Sequence, residues 1–148
     1  MKKAIKFSMF MAIMSFAIMG CSKSDLENIL DGSNAQFSPP SWLQGSWAEE
    51  DGGIVVFQIT KDDVLMNIGV LTSLKTIYGF SFMGTGTTIK ETKNNSSDYE
   101  ITVTAKVAGK EQAAGKFCFK KGQDSNHILA AWNEEGDKIS DWDTLVKK

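Results

Sequence analysis

The sequence predicts an all-β fold: a small antiparallel up-and-down β-barrel of about eight strands with one short helix, a β-sandwich being the alternative. Three observations carry this. Tyr99, Ile101, Val103, Ala105 and Val107 alternate with Glu100, Thr102, Thr104 and Lys106, the period of two expected of a strand with one buried and one wet face. The same period returns from Gly115 to Lys121, where Phe117 and Phe119 alternate with Lys116, Cys118 and Lys120. Short apolar runs also recur between Gly-, Asp- and Asn-containing turns at the spacing usual in sandwiches and barrels. Closing such strands into a barrel removes the exposed edges that otherwise invite aggregation.

The elements follow in order. Trp42 to Glu49 opens the domain, turns at Asp51-Gly52-Gly53 and continues through Ile54 to Thr60. Lys61-Asp62-Asp63 then leads into Val64 to Asn67. From Val70 to Tyr78 the apolar positions Val70, Leu71, Leu74, Ile77 and Tyr78 fall at helical spacing before Gly79, so residues 70–78 are expected to form a helix that lids one barrel end. Phe80 to Phe82, a Gly84-Thr85-Gly86 turn and Thr87 to Glu91 supply one or two strands before the polar loop Lys93 to Ser97. The strand from Tyr99, the turn at Gly109, Gly115 to Lys121, His127 to Asn133, the turn Glu134-Glu135-Gly136-Asp137 and Ile139 to Val146 then form a meander. In its last strand Trp142, Thr144 and Val146 are placed on one face.

Ahead of this domain, Lys2, Lys3 and Lys6 precede an uncharged run from Phe7 to Gly20, the layout of a signal peptide. The run is shorter than the ~18 to 20 apolar residues of a membrane span. Ile18-Met19-Gly20-Cys21 resembles the lipobox of bacterial lipoproteins. That resemblance implies cleavage before Cys21, diacylglycerol on its thiol and an acyl group such as palmitate on its amine. Two or three acyl chains anchor far more firmly than one, at about 0.8 kcal/mol per buried methylene. The expected organisation is a signal peptide over 1–20, a lipidated cysteine and flexible tether over 21–40, and the β domain over 41–148. The expected address is the cell envelope, on the outer membrane, facing either the periplasm or the surroundings.

Gly45-Ser46-Trp47, preceded by Trp42-Leu43, is similar to the G-x-W opening of the lipocalin and calycin superfamily, in which the tryptophan closes one barrel end. Ser97-Asp98-Tyr99 resembles the T-D-Y second motif. The wider layout over residues 41 to 148 looks like the small lipocalin-like lipoproteins of Bacteroidetes. The family's third motif is an arginine that packs over the first tryptophan. This chain has no arginine; a lysine could take the place and would stack less well.

Beyond the signal, 13 lysines stand against 18 acids, a net charge of about −5, so nucleic acid is not an expected partner. The absence of arginine also removes the side chain best suited to bidentate recognition of phosphate or base edges. With Cys21 lipidated, Cys118 has no cysteine to pair with. Lys116 and Lys120 could activate its thiol, although a small inert side chain is the plainer reading. His127, the only histidine, has no nucleophile motif near it. The acidic groups Glu49-Glu50-Asp51, Asp62-Asp63, and Glu134, Glu135, Asp137, Asp141 and Asp143 lack the spacing of a calcium loop, so they read as solvated turns. No enzyme, metal or cofactor is expected.

Two functions remain. In the first, Trp47, Phe57, Tyr78, Phe117, Phe119 and Trp132 line a barrel that binds a small apolar or amphipathic ligand. In the second the barrel is filled, and the anchored domain binds a protein, for instance as inhibitor of a cationic enzyme such as lysozyme.

Overall fold

A computed structural model describes residues 35–51, 53–82, 85–133, 139 and 141–148. The segments 1–20 and 21–34, Cys21 among them, lie outside the described residues, as do Gly52, Gly84, Glu134, Glu135 and Asp137. The ten strands are β1 (Gly45–Glu49), β2 (Val55–Ile59), β3 (Val64–Asn67), β4 (Leu71–Ser73), β5 (Phe80–Phe82), β6 (Thr85–Asn94), β7 (Asp98–Val107), β8 (Lys110–Lys121), β9 (His127–Asn133) and β10 (Asp143–Lys147). One short helix, α1 (Leu74–Tyr78), separates β4 from β5. All ten strands form one sheet in the order β4-β3-β2-β1-β10-β9-β8-β7-β6-β5, with every paired neighbour antiparallel.

This is a meander whose first and last strands meet, as in an up-and-down barrel, with the sheet curled into a half-barrel. Its edges are β4 and β5, and α1 sits where they part, packing on β3, β4 and β6. The helix is shorter than the 70–78 reading. Leu71 to Ser73 pair with β3 instead, as Asn67↔Leu71, Met66↔Thr72 and Leu65↔Ser73. Ser73 then caps the helix: its Oγ accepts from Lys75 N at 3.2 Å and donates to Asp63 Oδ1 at 2.9 Å. Strand count also exceeds the expectation of about eight, with Leu71–Ser73, read from sequence as part of the helix, forming a strand of their own.

Period-two patterning holds where two layers meet and fails where they do not. Tyr99, Ile101 and Val103 are buried, but Val107 is 56 % exposed. The cause is register: β9 ends at Asn133 opposite Lys116, so the tip of the β7–β8 hairpin extends beyond it.

Alternating strand directions define two ends. The chain enters at one, the near end, together with the turns at 60–63, 95–97 and 122–126; the other, the far end, carries residues 50–51, 53–54, 68–70, 108–109 and 141–142 of the described connections. The near end is capped by residues that the tether was expected to include. Phe37, within that 21–40 stretch, is buried under Lys75, whose ammonium lies 4.9 Å from its ring centroid, and Leu43, just past it in the expected domain, is fully buried. Glu91 fastens this segment: its carboxylate accepts from Ser38 N at 2.8 Å and Oγ at 3.1 Å, and from Asn94 Nδ2 at 3.1 Å.

Desolvation works against the Glu91 charge, but these hydrogen bonds and the neighbouring Tyr99 hydroxyl outweigh it and hold the carboxyl below its ordinary value. A group depressed on folding contributes stability above its unfolded pKa and loses it as pH falls through the lower, folded one. Glu91→Gln should therefore cost about 1 kcal/mol at neutral pH. Urea midpoints of variant and parent should converge in acid, and a gap that persists there would assign the loss to shape rather than charge.

Candidate functional site

The six aromatic side chains singled out in the sequence all come to the interior. Trp47, Phe57, Tyr78, Phe117 and Phe119 are buried there, and Trp132 is half-buried. Phe57 meets Phe119 edge-on at 5.2 Å and Phe117 at 6.5 Å. Phe117 lies 4.6 Å from Trp132, and Tyr78 stacks on Trp132 at 6.4 Å with planes 11° apart. Burial pushes the Tyr78 hydroxyl pKa up to about 12, so it remains neutral. Trp47 stands apart toward the near end, its indole donating to Leu43 O at 2.7 Å.

Space among these rings is small. A cleft of about 20 Å³, room for roughly one water, is lined by Val56, Phe57, Phe117, Trp132, Asp143 and Leu145, among others. Gly115 allows this packing, since a Cβ there would run into the Trp132 ring and lie 2.9 Å from Asn133 O. Asp143 shares the inward direction of buried Leu145, two residues on, yet is exposed, so it forms the lip. Burial, and then the neighbouring Asp141 carboxylate, hold its carboxyl above the ordinary aspartate value.

Around that lip the far end collects further acids. Glu49 ends β1 opposite Leu145, and Glu50 and Asp51 follow it into the β1–β2 connection, which carries them toward the end of the sheet where β10 begins at Asp143. Ile54, Ile68 and Val70 occupy connections at the same end and are 47 to 71 % exposed, so the rim combines negative charge with apolar surface. Ile54 was legible only as part of a strand and Val70 only as part of a helix, and Ile68 as neither, because nothing in their spacing places them at one end.

Other candidates resolve differently. Cys118 is buried, and desolvation, reinforced by Glu100, pushes its thiol up to about 11 despite Lys116, Lys93 and Lys120. The lysines therefore do not activate it. His127 Nδ1 lies 2.7 Å from Asp124 Oδ1 beside an open outer groove that also includes Glu50, Lys121 and Thr144. Among the described residues no three His, Cys, Asp or Glu side chains group to hold a metal. Lys147 places its ammonium 5.4 Å from the Trp47 ring centroid, opposite its own register partner. Gly45, at φ +143°, gives the lysine stem passage, because a Cβ would come within 2.6 Å of Lys147 Cε. No protein-family model, curated protein or solved structure matches the chain.

Proposed function

We propose that this chain is a membrane-anchored lipoprotein, held in the cell envelope by acyl chains on Cys21, whose barrel-like domain binds a cationic protein at its far end. One observation carries the reading: Glu49, Glu50, Asp51, Asp141 and Asp143, with exposed Ile54, Ile68 and Val70, gather at the end opposite the N-terminal approach. A domain tethered through its near end presents that rim away from the membrane. Apolar surface supplies contact area, while the acids steer a positive partner and reject negative ones. Gly45 and the Lys147–Trp47 stack support the likeness to lipocalin-like lipoproteins, with lysine in the arginine's role.

The small-ligand reading draws its support from the aromatic lining. It requires Tyr78 or Trp132 to move aside, since a cleft of about 20 Å³ falls far short of the ~300 Å³ of an ordinary ligand pocket. The filled interior favours the protein partner.

Membranes from bacteria producing the chain test both halves of the proposal. They should retain a cationic protein such as lysozyme, with affinity dropping at least about tenfold when salt shortens the Debye length from ~10 to ~5 Å. Cys21→Ala should move the chain out of the membrane fraction. Glu50→Lys with Asp51→Lys should leave it there without the capture. Capture that ignores both salt and charge reversal would overturn the docking reading.

A further inference from the structure

We infer that the cleft at the far end is a socket for a primary ammonium group, the tip of a lysine presented by the docked partner; the inference rests on the far end being the docking face. Three features specify that chemistry. Walls of Phe57, Phe117 and Trp132 offer aromatic surface, which attracts a cation through the ring quadrupole while sheltering its methylene stem. The lip is a carboxylate, Asp143, and among the described residues no lysine lies within ion-pair distance of it. The space, about 20 Å³, is that of one water-sized group. An ammonium has that size, whereas a planar guanidinium is larger and would force the rings apart.

The same partnership recurs within the chain. Lys75 sits over Phe37, Lys120 over Trp142 and Lys147 over Trp47, with ammonium-to-centroid distances of 4.9, 4.6 and 5.4 Å. Ammonium on aromatic is thus how this domain covers its own rings where they approach the surface. At the far end the arrangement adds a carboxylate strained by burial and by Asp141, and an incoming cation relieves that strain. Tyr78 stacked behind Trp132 keeps the indole wall in place before anything binds, so little ordering is required at the moment of contact.

The test uses the full chain in non-ionic detergent, titrated with n-butylammonium, n-butylguanidinium and n-butanol, and followed by NMR of the Trp132 indole resonance, assigned through Trp132→Phe. Butylammonium should shift that resonance saturably, butylguanidinium should bind at least about fivefold more weakly, and butanol should have little effect. Asp143→Asn should weaken butylammonium at least about tenfold, and Glu111→Gln, an exposed acid of β8 outside both the socket lining and the rim acids, should not. Absence of a saturable shift, equal affinity for the guanidinium, or an unchanged response in Asp143→Asn overturns the socket. Retention of the cationic protein at full affinity by Asp143→Asn also overturns it while leaving the rim as docking face. A socket that fills with butylammonium in a chain that retains no cationic protein stands, and the docking reading alone falls.

Discussion

Trp47→Ala should cost about 3 to 5 kcal/mol, enough to leave much of the domain unfolded at room temperature. The indole is fully buried, donates to Leu43 O at 2.7 Å and lies beneath the Lys147 ammonium. Removing it opens a cavity at the near end, strands the Leu43 carbonyl and releases the lysine that runs past Gly45. Urea unfolding followed by far-ultraviolet circular dichroism measures the loss. Trp47→Phe, which refills most of the volume but lacks the N–H, should recover roughly half of it. A cost below about 1 kcal/mol for the alanine variant would mean that this end is held elsewhere.

Phe117→Ala should cost a similar 3 to 5 kcal/mol, roughly, with a second signature. Phe117 touches Phe57, Tyr78 and Trp132, so its loss leaves an apolar void in the middle of the ring cluster. Voids of this kind stay dry and take up benzene-sized guests. Benzene should therefore raise the melting temperature of Phe117→Ala by several degrees while leaving the parent unchanged. If the parent itself is stabilised by benzene, its interior already accepts an apolar guest and the small-ligand reading regains ground.

The strands were legible where two layers face each other. Tyr99, Ile101 and Val103 alternate because only the concave face of the curled sheet is covered, while the other face of β7 meets solvent. Val107 continues the alternation in sequence but is exposed, since apolar spacing reports strand periodicity and not where the covering layer stops. Helix 70–78 misread for a related reason: Leu71 suits a strand as well as a helix, and only the pairing of β3 with β4 and the cap at Ser73 decide between them. The six aromatic residues were legible as interior, but whether they line a space or fill one depends on ring angles and on Gly115, which no linear pattern contains. The far-end rim was half legible. Its acids were visible as clusters, whereas their assembly depends on the pairing of β1 with β10 across nearly the whole domain.

That pairing also governs how the molecule comes into being. Trp47 aligns with Lys147, a hundred positions apart, and Lys148 N donates to Ser46 O at 2.9 Å. Bringing such distant partners together costs about 4 kcal/mol in chain entropy. Hairpins β6–β7 and β7–β8 involve neighbours only and can form as soon as they are synthesised. The first strand must instead wait for the last, so β1 stays one neighbour short until β10 is available to pair with it. The rim, assembled from both termini of the domain, exists only in molecules that have been completed.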